Sequence, residues 1–171
     1  MNHEDCILVE PSAELKSEFL KMIVEYQAEG DDRFNFPAED FEAYLERLKV
    51  FKIGENLPAD RVPSNTYFLM CGKKIIGRGD VRRKLNPELE IRGGHIGYDI
   101  RPSERRKGFG TLILKLMLEK ARNIRLERVL ITCDTDNIAS AKIIEKNGGK
   151  LAKQLIYKET GTMISQYWIE L

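Results

Sequence analysis

An α+β fold built on a mixed, mostly antiparallel sheet is predicted by three observations. Two early segments repeat apolar residues at helical spacing, the middle of the chain switches to strand-like runs joined by short turns, and a continuous apolar run then sits between two further helical segments. The length of 171 residues fits one domain, read as 1–171, with its own hydrophobic core.

Taken in order, residues 7–9 (Ile-Leu-Val) predict a short strand ended by Pro11. Ser12 is placed to cap a helix that carries Leu15, Phe19, Met22, Ile23 and Tyr26 on one face and stops at Gly30. A second helix fits 38–51, where Phe41, Tyr44, Leu45, Leu48 and Phe51 keep the same spacing. The connection over 30–37 is polar but holds Phe34 and Phe36, either an apolar lid or anchors of the loop; 54–63, with two prolines, reads as loop. Strands are expected over 66–71 and 74–81, joined by a tight turn at Cys71-Gly-Lys-Lys74, with the second able to run on to Leu85. A third strand over 95–100 alternates Ile96, Tyr98 and Ile100 against His95, Gly97 and Asp99.

A strongly apolar helix follows from Thr111 to about Ile124, then Val129–Cys133, an unbroken apolar run typical of a strand buried on both faces. A short helix over 139–147 ends at Gly148-Gly149, and closing strands fit 151–157 and 162–169.

Composition narrows the function classes. The 28 Lys and Arg against 27 Asp and Glu leave a net charge of +1, which argues against a nucleic-acid partner, whose domain is usually basic. Met1–Cys6 is acidic without an apolar run, so no secretory leader is expected. Leu112–Leu118 is interrupted by Lys115 and falls short of the roughly 18 apolar residues a spanning helix needs, so no membrane partner is expected either. The 3 cysteines, Cys6, Cys71 and Cys133, are widely spaced and odd in number, which suggests a reducing, cytoplasmic setting rather than a disulfide framework. With no Cys/His cluster and only 2 histidines, no metal site is expected.

The most informative segment is Ile100–Thr111. Gly108 and Gly110 let the backbone approach a ligand closely, and the helix start behind them offers unpaired N–H groups and the positive end of its dipole. Such a turn either is a plain structural helix start, with Thr111 as cap, or holds a pyrophosphate, with Arg105, Arg106 and Lys107 adding charge and Thr111 its hydroxyl. It is neither a Walker A loop nor a dinucleotide fingerprint, because GxxxxGK[ST] is absent and Ile113 stands at the third glycine of GxGxxG.

Arg105-Arg-Lys-Gly-Phe-Gly110 resembles the (Gln/Arg)-x-x-Gly-x-(Gly/Ala) motif of the GNAT N-acetyltransferase superfamily. The stretch from Asn137 to Gly149 resembles that family's second cofactor segment, Asn-x-x-(Ala/Ser) followed by a short helix and Glu-Lys-x-Gly. The resemblance implies helices on both faces of the sheet, and acetyl-CoA as cosubstrate in a V-shaped gap between the third and fifth sheet positions. Asp99 and Ile100 would pair through their backbone with the pantetheine arm. Amides from Arg105 through Arg106, Lys107, Gly108, Phe109 and Gly110 to Thr111 would hold the pyrophosphate, and Asn137 would reach pantetheine with Ser140 nearby. Many relatives place a tyrosine acid in the last helix; here that position is Ile144.

Amine acetylation requires a base for the incoming ammonium and stabilisation of the leaving thiolate. His95 has the right ordinary pKa and heads the strand at the gap, and Glu90 and Asp99 are alternatives. Tyr98 either donates a hydrogen bond to substrate or thiolate or belongs to the core. Cys133 fits a small buried cysteine better than an acyl carrier, because no partner base is evident. Tyr157, Tyr167 and Trp168 either line the acceptor site or fill the core.

Eight acids stand against Arg33 over 25–46, namely Glu25, Glu29, Asp31, Asp32, Glu39, Asp40, Glu42 and Glu46. They read either as solvated helix faces or as an acidic rim drawing in a small cationic amine. The expected activity is therefore acetyl-CoA-dependent N-acetylation of a small-molecule primary amine. A protein N-terminus or lysine as acceptor, or a non-catalytic CoA-binding module, are the alternatives; a homodimer is compatible with the family but not fixed by the sequence.

Overall fold

The computed structural model describes residues 3–31 and 40–171. The strands are β1 (Cys6–Val9), β2 (Ser64–Cys71), β3 (Lys74–Arg82), β4 (Ile96–Ile100), β5 (Arg128–Asp134), β6 (Lys150–Tyr157) and β7 (Thr162–Glu170). The helices are α1 (Lys16–Ala28), α2 (Phe41–Ile53), α3 (Pro87–Ile91), α4 (Phe109–Asn123) and α5 (Ile138–Lys146). The strands form a 4-stranded sheet, β1-β2-β3-β4, and a 3-stranded sheet, β5-β7-β6, each antiparallel throughout.

Alternation on β2 explains why helices cover both faces of the first sheet. Tyr67, Leu69 and Cys71 enter one core with Ile113, Leu114 and Met117 of α4, while Phe68 and Met70 enter a second with Phe19, Met22 and Tyr26 of α1 and Phe41 and Tyr44 of α2. Each large side chain buried in this way contributes about 1.5–3 kcal/mol. Gly79 lets α4 lie close to β3, since a Cβ there would stand 2.8 Å from Met117 Cε.

Several expectations are corrected. Ser12 makes no side-chain cap; a short 3-10 turn over Ala13–Leu15 leads into α1 instead. The expected strand extension toward Leu85 ends at Arg82, and α3 was not anticipated, although Asn86 caps it by accepting from Leu89 N at 2.9 Å and Pro87 opens it. The cysteines are not all free. Cys6 and Cys71 sit opposite each other in the β1–β2 register and form a disulfide, leaving Cys133 as the free cysteine. The cysteine part of the case for a reducing compartment falls with it. The expected lid residues Phe34 and Phe36 lie outside the described residues, as do Asp32, Arg33 and Glu39. No helix among the described residues is long and apolar enough to cross a membrane, and they hold no group of three potential metal ligands.

Candidate active site

β4 ends one sheet and β5 ends the other, and no ladder joins them. They touch only at one end. His95 N donates to Leu130 O at 2.7 Å, Leu130 N donates to His95 Nδ1 at 2.9 Å, and Gly93 N donates to Thr132 Oγ1 at 2.8 Å. Gly94 makes this approach possible, with φ +61° and a position where any Cβ would collide with the Leu130 carbonyl. Beyond this junction no ladder joins the facing edges among the described residues, which produces a cleft. The expected gap is present, but it lies between the fourth and fifth strands of the chain rather than at the third and fifth positions.

Tyr98 reaches across the cleft from β4 to α5, its hydroxyl 3.4 Å from Ser140 Oγ. Burial pushes its pKa up to about 12, against the Ser140 contact, which lowers it. Ser140 is itself placed by Asn137, whose Oδ1 caps α5 by accepting from Ser140 N at 3.0 Å. Cys133 is buried beside the same serine; burial raises its thiol pKa and the Ser140 hydrogen bond opposes that rise. The structure thus brings Tyr98, Asn137 and Ser140 of the expected site together and adds Cys133. Ile144, at the position where a tyrosine acid is common, is fully buried in the α4 core.

At the end of β4 the chain turns into α4. Gly108, at φ +85°, is the residue before the helix, and Arg106 also holds a positive φ of 61°. Gly110 packs α4 against its neighbours: a Cβ there would lie 2.5 Å from Ile143 Cδ1 and 4.0 Å from Ile100 Cγ1, so the turn adjoins the strand expected to face the cosubstrate. The basic side chains divide. Arg105 is drawn back to Glu29 (2.6 Å) and to the Ile100 carbonyl (3.1 Å), and Lys107 to Ser103 O (2.7 Å) and Glu104 (2.9 Å). Arg106 is exposed, with no ion pair among the described residues. Phe109 is buried under the ring of His3, at 4.6 Å between centroids, and His3 Nε2 lies 2.9 Å from the Lys107 carbonyl. His3 was not singled out in the sequence, because nothing local links it to a turn 104 residues away. Thr111 is half-buried in the first turn of α4, its amide bonded to Gly108 O at 3.1 Å.

The expected bases are placed differently from one another. His95 is half-buried, its ring 6.2 Å from that of Trp168. Burial and the neighbouring charge of Arg82 lower its pKa. Because Nδ1 accepts the Leu130 N–H, the neutral imidazole carries its proton on Nε2. Asp99 lies opposite Arg78 in the β3–β4 register. Glu90 is exposed on α3, where its main-chain carbonyl accepts from Gln166 Nε2 at 2.7 Å. Of the closing aromatics, Tyr167 is core; Tyr157 Oη donates to the Glu159 carboxylate; and Trp168 lies under Arg128, 4.4 Å from the ring centroid.

Four of the eight acids read as either a rim or solvated helix faces are held in ion pairs. Glu25 holds Arg101 Nε at 2.7 Å and accepts from Ser103 N at 3.1 Å, and Glu29 pairs with Arg105. Glu42 pairs with Lys16 at 2.9 Å and Glu46 with Lys49 at 2.6 Å. Arg101, buried and clamped between Glu18 and Glu25, ties α1 to the segment before α4.

On the α2 face of the first sheet is a cavity of about 280 Å³, which sequence reasoning missed. Arg78, Asp80 and Arg82 of β3 and Ser64 and Thr66 of β2 form its floor, and Tyr44, Leu48 and Phe51 its apolar wall. Thr66 Oγ1 donates to Asp80 at 2.5 Å, and Asp80 pairs with Arg78 at 3.1 Å. The signal was present in Arg78-Gly-Asp-Val-Arg82, whose polar side chains recur every second residue on one strand face. The cavity adjoins β4 at Gly97, where a Cβ would stand 3.5 Å from Arg82 Nη2.

A family model described as an acetyltransferase (GNAT) domain matches residues 18–150. None of the curated proteins matches the chain. Among solved structures, the microcin C7 self-immunity acetyltransferase in complex with acetyl-CoA and AMP superposes with a TM-score of 0.75 at 17% identity, covering 98% of this chain and 93% of that one. The ribosomal L7/L12 alpha-N-protein acetyltransferase in complex with coenzyme A gives 0.74 at 14% identity, covering 98% and 94%. A chimera of the spermidine N-acetyltransferase of Vibrio cholerae gives 0.69 at 13% identity, covering 97% and 95%. At these identities the likeness is one of fold.

Proposed function

Since the chain belongs to the GNAT acetyltransferases, we propose that it transfers the acetyl group of acetyl-CoA to a primary amine by direct attack in a ternary complex. The observation that carries this reading is the cleft between β4 and β5, with Tyr98 and Ser140 across it and the Gly108 turn at its end. The residues fit the cosubstrate. The end of β4 at Asp99 and Ile100 borders the cleft on the side where a pantetheine arm would run, and the amides from Arg105 to Thr111 at the α4 start, with the Arg106 guanidinium, suit a pyrophosphate. Asn137 and Ser140 lie on the opposite wall.

In the reaction the amine nitrogen bonds to the thioester carbonyl carbon, the carbon–sulfur bond breaks, and the sulfur leaves with the electron pair. Tyr98, with a pKa pushed to about 12, keeps its proton at neutral pH, so its part is a hydrogen bond toward the charge that develops in the cleft rather than proton transfer. The nitrogen gives up its second proton to water as the amide forms, and the thiolate takes a proton back from water, so the step balances. We give His95 a positioning role, because using Nδ1 as a base would sacrifice the bond to Leu130 N–H. Glu90, exposed on α3, is the carboxylate we assign to take the ammonium proton through water.

Calorimetric titration with acetyl-CoA, together with thiol release over an amine panel, tests the reading. Acetyl-CoA is expected to bind, Gly108→Trp to abolish binding while the fold persists, and Glu90→Gln to lower kcat on the order of 10²-fold without changing the KM for acetyl-CoA. Binding without amine-dependent thiol release from any acceptor points to a CoA-binding module instead, and unchanged affinity in Gly108→Trp overturns the placement of the pyrophosphate.

A further inference from the structure

We propose that the cavity on the α2 face receives an acceptor that carries an anionic group, a carboxylate or a phosphate, in addition to its amine. This rests on the transferase reading above and names the substrate class of the same site.

The argument is one of charge accounting inside a small space. Four arginines line the cavity, Arg47, Arg61, Arg78 and Arg82, against two aspartates, Asp60 and Asp80. The aspartates are already engaged: Asp60 pairs with Arg61 at 3.2 Å and Asp80 with Arg78 at 3.1 Å, while Asp99 adds its field at Arg78 from the next strand. Arg47 and Arg82 have no ion pair among the described residues. Arg47 lies over the Tyr44 ring, 5.7 Å from its centroid, and Arg82 Nη1 donates to the carbonyls of Gly94 at 2.9 Å and Gly93 at 3.2 Å. Those two bonds leave other N–H groups of the Arg82 fork for a ligand. Burial and the neighbouring charges of Arg78 and Arg61 lower the Arg82 pKa, with Asp80 opposing, as befits a cation with too little compensation.

Guanidinium forks match planar carboxylates and phosphates, and they repel a polycation. Placement makes the pairing productive. Arg82 borders Gly97, the side-chain-free position of β4, so an acceptor whose anion rests on Arg82 and Arg47 can extend its amine past Gly97 toward the cleft. Four of the carboxylates once expected to attract a cation, Glu25, Glu29, Glu42 and Glu46, are bound to Arg101, Arg105, Lys16 and Lys49.

Matched acceptors test this: L-amino acids against their C-terminal amides, phosphoethanolamine against ethanolamine, and spermidine as the polycation. Thiol release and calorimetric binding in the presence of CoA are both read. The expected result is a preference of about tenfold or more for the anionic member of a pair, with carboxylate and phosphate arms showing which anion is favoured. Arg47→Gln, at an exposed position, and Arg82→Gln are expected to erase the preference, Arg82→Lys to restore part of it, and the affinity for acetyl-CoA to stay unchanged in Arg47→Gln. Equal or better use of amides, ethanolamine or spermidine overturns the inference while leaving the transferase reading intact. Failure of every anionic amine to bind or react, with acetyl-CoA binding normally, also overturns it. Failure of acetyl-CoA itself to bind refutes the transferase reading instead.

Discussion

At the scale of single residues, His95 shows how one hydrogen bond decides between roles. Its place at the head of a strand beside the cleft was legible in the sequence. The bond that occupies Nδ1 was not, because Leu130 lies 35 residues further along the chain. Replacing His95 with Leu leaves the Leu130 amide without its acceptor, and a loss of about 1–3 kcal/mol in unfolding free energy is expected by denaturant titration. The pH dependence has a definite sign. The folded-state pKa is lowered below 6.5, so between the two values the unfolded chain binds more protons, and stability is full above pH 6.5 and declines as pH falls toward the folded value. Denaturation midpoints measured below pH 6.5 should therefore fall in the wild type and fall less in His95→Leu; equal slopes would remove His95 from this account.

At the scale of elements, what could be read followed from periodicity and what could not depended on partners distant in sequence. The helical faces of α1 and α4 and the alternation on β4 needed only local spacing. α3 is five residues long, too short for a period to show, and only Asn86-Pro87 announced it. On β3 the arginines at 78 and 82 could be assigned to one face, but not to a cavity, because α2 supplies the opposite wall. The cysteine pairing illustrates the same limit: Cys6 and Cys71 meet only through the β1–β2 register. That disulfide fastens an edge strand and closes a loop over a separation of 65 residues, so its removal should cost about 2–4 kcal/mol. Comparing thermal unfolding of oxidised, reduced and Cys6→Ser/Cys71→Ser protein checks this; the reduced protein and the double variant should match. A midpoint indifferent to reductant would show that the bond contributes nothing to stability.

At the scale of the whole molecule, the net charge of +1 hides specific ion pairs between elements. Glu18, Glu25 and Glu29 hold Arg101 and Arg105, so α1 is fastened to the turn that leads into α4. The two sheets meet through α4, α5 and the short junction at His95. A cosubstrate bound in the cleft therefore contacts both halves of the molecule. At about 100 times its Kd, acetyl-CoA should raise the unfolding free energy by about 2.7 kcal/mol, seen as one cooperative transition shifted upward. Separate melting of the two sheets, with only one responding to ligand, would contradict this coupling.

The cleft also has a consequence for the protein's behaviour in concentrated solution. Two strand edges left without a ladder are templates on which another polypeptide can pair, the hazard that most sheets avoid by covering or charging their borders. On the proposed binding mode, the border is left open where the cosubstrate lies. Acetyl-CoA then serves as a detachable cover, and protein kept free of it should self-associate faster on mild warming than protein saturated with it. Light scattering at matched concentrations, with CoA lacking the acetyl group as a second cover, measures that protection directly.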